Sequence, residues 1–110
     1  MNYVYYIDGQ KFTTDERRDV PDDYVSSPNE NTPAYENLSN GFKIWCKKGW
    51  KFHRLTGVAL IRADKSKHFY LNGKYYETVK EWIKDHPNPD LYFNALGMTE
   101  TDKVLWYLKN

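Results

Sequence analysis

Cysteine is nearly absent: Cys46 stands alone in 110 residues, so no internal disulfide framework forms and a reducing compartment is permitted. No apolar run approaches the length of a membrane span, and no basic segment precedes an apolar stretch at the N-terminus. A soluble, untargeted protein is therefore expected. Glycine is sparse, and Gly41, Gly49, Gly57 and Gly73 are spaced as turns, which excludes a glycine-rich phosphate loop. Net charge is also almost missing, at +1. That balance is uneven along the chain. Residues 1–40 carry three Lys/Arg against eight Asp/Glu, residues 43–74 carry nine against Asp64 alone, and residues 75–110 carry four against six. The basic excess falls on the central segment, where it would attract anionic partners unless the acidic flanks neutralise it.

Aromatic residues are plentiful, with 10 Tyr, 5 Phe and 4 Trp. Many of them sit in a unit that occurs twice. Tyr5-Tyr6-Ile7-Asp8-Gly9-Gln10-Lys11-Phe12 precedes Thr14–Arg18 and a proline at 21; Phe69-Tyr70-Leu71-Asn72-Gly73-Lys74-Tyr75-Tyr76 precedes Thr78–Ile83 and a proline at 87. Asp-Gly and Asn-Gly between aromatic runs specify type I′ hairpins, because both central residues must take positive φ. The expected registers place Tyr6 opposite Lys11, Tyr5 opposite Phe12, Tyr70 opposite Tyr75 and Phe69 opposite Tyr76.

Between the copies, residues 19–41 read as a polar loop or surface strap, too polar for core, with a short edge strand at Pro33–Glu36. Residues 42–76 read as an antiparallel meander. Phe42, Ile44 and Cys46 alternate with Lys43, Trp45 and Lys47, the period of a half-buried strand. A three-residue turn at Lys47–Gly49 is expected to set Cys46 opposite Trp50 and Ile44 opposite Phe52. Val58–Arg62 and Lys67–Leu71 supply further strands. Residues 77–110 turn helical: Thr78 and Glu81 form a capping box ahead of Val79, Trp82 and Ile83. Asp90–Leu96 ends at Gly97, and Thr99 with Asp102 caps a last helix whose buried stripe is expected to be Val104, Leu105 and Leu108. The fold class is α+β in one domain: a hairpin with a short helix at 1–18, the loop, an antiparallel β-hairpin meander, and a C-terminal cap of two to three helices.

Trp45, Gly49, Lys51, His53-Arg54-Leu55-Thr56-Gly57-Val58-Ala59 and Tyr70-Leu71-Asn72-Gly73-Lys74 resemble hairpin repeats built on the theme W-x-x-x-G-K-x-H-R-x-x-G-P-A. Such repeats occur in small phage and giant-virus proteins and are loosely similar to MORN-type hairpins. The resemblance spans residues 42–86, with Val58 in place of the usual proline and Trp50 inserted after Gly49. It implies a viral or mobile-element origin, a site of action in the host cytoplasm and no catalytic residues. The His-Arg pair recurs in every copy of such repeats, which suits a structural staple.

Four constellations carry candidate chemistry. His53 and Arg54 either grip phosphate or carboxylate, or tie the following loop to backbone carbonyls. Cys46, His53 and His68 form a zinc-type donor set but lack ligand spacing, so neither metal nor cofactor is expected. Asp22, Asp23 and Glu36 have no histidine at motif spacing and read as solvated charge, so no enzyme is expected. The last is the outward sheet face, where Lys43, Trp45, Lys47 and Lys51 share one parity and His68 with Tyr70 another. Basic residues interleaved with aromatics suit docking on an acidic protein surface or stacking on nucleic-acid bases. The leading expectation is a non-enzymatic inhibitor that occupies a host protein, such as a defence nuclease, through Lys43, Trp45, Lys47, Lys51, His53, Arg54, His68 and Tyr70. Nucleic-acid or nucleotide binding by the same face is the alternative, and a divalent-metal hydrolase is a third class. No membrane partner is expected, and the oligomeric state is open.

Overall fold

The computed structural model describes residues 2–110. Its strands are β1 (Tyr3–Ile7), β2 (Gln10–Thr14), β3 (Tyr35–Asn37), β4 (Phe42–Ile44), β5 (Cys46–Lys47), β6 (Lys51–Phe52), β7 (Leu60–Ile61), β8 (Lys67–Leu71) and β9 (Lys74–Tyr76). Three helices follow: α1 (Val79–Asp85), α2 (Asp90–Ala95) and α3 (Glu100–Lys109). Seven strands form one antiparallel sheet in the order β2-β1-β3-β4-β7-β8-β9, and β5 with β6 makes a separate ribbon. The fold is α+β, with helices gathered at the end of the chain.

The duplicated unit takes the two edges of the sheet. Asp8 and Gly9 turn with φ of 49° and 82°, and Asn72 and Gly73 with 49° and 87°, so both hairpins close as the Asx-Gly chemistry requires. Tyr6 faces Lys11, Tyr5 faces Phe12, Tyr70 faces Tyr75 and Phe69 faces Tyr76. The helical halves diverge. After β2 come two short 3-10 turns, at Arg17–Asp19 and Asp22–Tyr24, in place of an α-helix. After β9, Thr78 Oγ1 accepts from the Glu81 backbone N–H at 3.2 Å and starts α1, which buries Trp82 and Ile83.

Several expectations are corrected. The turn after β5 is shifted by one residue: Cys46 lies opposite Phe52 and Lys47 opposite Lys51. Gly49 and Trp50 both take positive φ, and the Trp50 ring packs edge-on against Tyr35 and Phe52, so Trp50 reaches the core from the loop rather than from the strand. Tyr35 does not begin an edge strand, since β3 lies between β1 and β4 in the interior of the sheet. The strap from 19 to 40 is not purely surface, because Val20, Val25, Ala34 and Tyr35 are buried. Its polar groups are absorbed by the backbone around it: Ser27 N–H donates to the Cys46 carbonyl at 2.9 Å, and Ser26 N–H to that of Tyr6 at 3.0 Å. β7 shrinks to Leu60–Ile61, although Trp45 N–H to the Ala59 carbonyl extends its pairing.

The largest correction is α3, which is turned over. Val104 is 58% exposed and Leu108 78%, while Lys103 is only 7% exposed. Trp106 seats its large ring 5.3 Å from that of Phe93. The Lys103 ammonium meets Glu100 at 3.0 Å and Asp90 at 3.5 Å, which makes its inward position tolerable. Two rings on Phe93, those of Trp106 and, at 5.7 Å, Tyr107, plus a paired lysine thus orient the helix, and the aliphatic stripe is left outside.

Two cores lie on opposite faces of the sheet. Directly opposed residues share a face, so Tyr5, Tyr35, Ile44, Leu60 and His68 form one row. On that side Val20, Val25, Ala34, Tyr35, Ile44, Cys46 and Leu60 are buried beneath the strap and the β5–β6 ribbon. On the other side, at the β8–β9 end, Leu71 and Tyr76 pack with Trp82, Ile83 and Phe93 under the three helices. Offset cores of this kind suit the elongated extents of 47 × 26 × 22 Å.

Candidate functional site

The eight residues singled out from the sequence do not share one surface. The pairing Lys43–Ile61 and Ile44–Leu60–His68 sets Lys43 on one face and His68 with Tyr70 on the other. Lys43 Nζ lies 3.7 Å from Glu36 Oε2 on the adjacent strand. Tyr70 is packed rather than presented, 5.1 Å from the Phe52 ring and 5.5 Å from Tyr75. The His68 ring stands 3.3 Å from Ser66 Oγ and 5.7 Å from the ring of Tyr75.

Trp45 is no anchor for a partner. It is 5% exposed, with the Arg54 guanidinium 3.9 Å above its ring. The alternation expected of β4 fails here because Ile44, Trp45 and Cys46 are all buried, the indole under a loop instead of in solvent. Arg54 holds that loop. Its Nε donates to the Glu30 carbonyl at 2.8 Å and Nη1 to the Val58 carbonyl at 3.2 Å. Burial pushes its pKa down, and the Glu30 charge opposes the shift. Glu30 completes the staple, since its Oε1 accepts from Leu55 N–H at 2.7 Å, Thr56 N–H at 2.9 Å and Thr56 Oγ1 at 3.1 Å. His53 Nδ1 accepts from the Asn72 N–H at 3.0 Å, and burial followed by the nearby Lys47 charge lowers its pKa. The pair therefore serves the scaffold, with its donors and acceptors committed to backbone.

Cys46 Sγ lies 3.5 Å from the Val25 carbonyl, and desolvation, with a smaller contribution from Asp22, pushes its thiol up to about 12. A thiol so placed is protonated packing at neutral pH. Among the described residues, no group of three or more His, Cys, Asp or Glu is placed to hold a metal ion.

Two places bring accessible lysines together in pairs. On the ribbon, Lys47 lies directly opposite Lys51; Lys47 Nζ donates to Asn72 Oδ1 at 2.7 Å, while Lys51 has no ion pair among the described residues. Like charges facing across a ribbon oppose its pairing. The second place was missed. Lys80 and Lys84 lie one turn apart on α1 with Ile83 between them, beside Trp106, Tyr107 and Asn110 of the α3 end, around a groove of about 310 Å³. Among the described residues neither lysine is ion-paired, whereas Asp85, on the next face of α1, accepts from the Tyr76 hydroxyl at 2.8 Å and Lys74 at 3.3 Å. Those two partners hold the Asp85 carboxyl below its usual range.

Beside this groove lies the outer side of α3. Of the large apolar side chains left exposed, Leu91, Leu96, Val104, Leu105, Tyr107 and Leu108 all belong to α2, α3 or the turn joining them. The periodic stripe was visible in the sequence; only its direction was not. No family model matches the chain, and no curated protein or solved structure matches it.

Proposed function

We propose that this protein works by binding another protein, and that its contact surface is the helical end of the molecule. The observation that carries this reading is the outward stripe of Val104, Leu105 and Leu108 on α3. An amphipathic helix in a small domain ordinarily turns such a stripe to the core, and a contiguous exposed apolar patch marks an interaction site. Trp45 and Tyr70 give no comparable support, since their rings are already packed within the chain. Occupation of a host defence nuclease is one form the role takes, supported by the hairpin-repeat resemblance alone.

Capture from host lysate by wild type and by a Leu105→Glu/Leu108→Glu variant tests the reading. A protein retained by wild type and lost from the variant is the expected result. Equal retention by both moves the interface off α3, and retention of nothing removes the reading.

Nucleic-acid binding is favoured by one observation, the Lys47–Lys51 pair on the ribbon. It requires an oligonucleotide affinity that falls steeply with salt and is abolished by Lys47→Glu/Lys51→Glu. No mobility shift at low salt excludes it.

A further inference from the structure

The charges on α1 are sorted by face: its (i, i+4) neighbours are alike in sign, while within the helix Glu81 and Lys84, at (i, i+3), join opposite signs. Lys80 and Lys84 fall on one face and Glu81 and Asp85 on the next, so the (i, i+4) pairs join like charges. Such pairs are unfavourable in an isolated helix, and exchanging one member of each would replace both repulsions with attractions. The acidic side is partly used internally, through Asp85 with Tyr76 and Lys74. The basic side makes no ion pair or side-chain hydrogen bond among the described residues, and Lys84 acts on Asp85 only through its charge. This side rims a groove whose apolar wall is Ile83, Trp106 and Tyr107, and whose far end is Asn110. Among the described residues no Asp or Glu side chain lines this groove, and the one carboxylate at its edge is the chain-terminal group of Asn110. Lys103, on the Trp106 side of α3, is already neutralised by Glu100 and Asp90. The groove thus presents an aromatic floor with two unpaired ammonium groups along one lip.

We propose that this groove receives an acidic amphipathic segment of the partner protein, seating one bulky apolar side chain against Trp106 and Ile83 with carboxylates one helical turn apart on Lys80 and Lys84. The assignment rests on the protein-binding reading above and names the chemistry of its partner. Charge complementarity selects the segment: an apolar anchor alone fits the floor, but only an anionic flank makes use of the lysine lip. The outer stripe of α3, continuous with Trp106 through Leu105, then borders the bound segment.

The test uses fluorescein-labelled helical peptides with leucines on one face and, beside them, glutamates, glutamines or lysines. Fluorescence anisotropy with the intact protein is expected to show binding of the glutamate peptide, weaker by roughly tenfold or more for the glutamine peptide. Lys80→Glu/Lys84→Glu is expected to lose the glutamate peptide and gain the lysine peptide. Lys11→Glu/Lys67→Glu makes the same charge change on the sheet and is expected to leave binding unaltered. Three results overturn the proposal: no binding of the glutamate peptide, equal binding of all three peptides, or binding indifferent to the Lys80/Lys84 reversal. Self-association that the same reversal abolishes, seen by sedimentation, also overturns it by naming a second copy as occupant. If the peptide fails while Leu105→Glu/Leu108→Glu still abolishes partner capture, the acidic segment falls and the protein-binding reading stands.

Discussion

Arg54 does three things at once: it lies over Trp45, donates to Glu30 and donates to Val58. A half-buried cation–π contact contributes roughly 0.5–2 kcal/mol, and hydrogen bonds from a charged group roughly 1.5–3 kcal/mol. Arg54→Ala is accordingly expected to lower unfolding free energy in urea by about 2–4 kcal/mol. Arg54→Lys should recover less than half of that, because a single ammonium cannot stack flat and reach two divergent carbonyls. Equal stability of the lysine variant and wild type would mean the guanidinium geometry is immaterial. His53 makes a pH-dependent contribution of the same structural kind. Its Nδ1 must be unprotonated to accept from Asn72, and its pKa lies below the ordinary 6.5. The unfolded chain therefore takes up that proton first, and the stability gained from neutral His53 is present above pH 6.5 and lost as pH falls through and below it. The stability gap between wild type and His53→Ala should narrow on acidification from about pH 7.5 to about pH 5; a constant gap would refute the acceptor role. The sequence made this pair conspicuous and its structural use foreseeable. Glu30 was not foreseeable, because its three donors lie about twenty-five residues away, across the molecule.

At the scale of elements, legibility followed how local the determining chemistry was. The Asx-Gly hairpins need only positive φ at two adjacent residues, and the Thr78 and Thr99 caps need a partner three residues on, so both were readable. The β5–β6 turn was misread by one residue because Trp50 tolerates φ of 60° in exchange for packing on Tyr35 and Phe52, a choice set by distant rings. For α3 the period was right and the direction wrong. Its ten residues carry an aliphatic stripe on one side and Trp106 with Lys103 on the other, and periodicity alone cannot rank the two. The rank follows from Phe93, which takes the rings of both Trp106 and Tyr107 at the edge of the second core. Trp106→Ala is expected to cost roughly 2–4 kcal/mol, somewhat less than a fully buried aromatic. Leu108→Glu should change stability by no more than about 0.5 kcal/mol, as surface substitutions do. Thermal denaturation of both variants checks the order, and the reverse order would place the stripe in the core after all.

For the whole molecule, the question is whether two offset cores behave as one. The charge segments of the sequence already interleave across them: acidic and basic stretches meet at Glu36–Lys43, Lys48–Asp8 and Glu30–Arg54. These contacts engage three of the nine basic residues of the central segment. The mechanical link is β8, a strand that contributes side chains to both cores. Tyr70 enters the first core, while Phe69 and Leu71 enter the second. Its backbone bonds run to β7 on one side and β9 on the other, so loss of the helical core strips one face of a strand on which the other core depends. Phe93→Ala, in the second core, is therefore expected to destabilise the whole chain by roughly 3–5 kcal/mol rather than to melt the helices alone. Cys46 reports on the first core, since its thiol is buried with a pKa near 12 and should not react with a disulfide reagent at about pH 8 until that core opens. Far-ultraviolet circular dichroism reports on the helices of the second. If β8 couples the cores, the urea midpoints for Cys46 labelling and for helix loss coincide in wild type and shift together in Phe93→Ala. Helix loss at lower urea than Cys46 exposure would instead make the helical end an independently melting unit, and a docking surface built on it would then be set by a partner rather than held ready by the sheet.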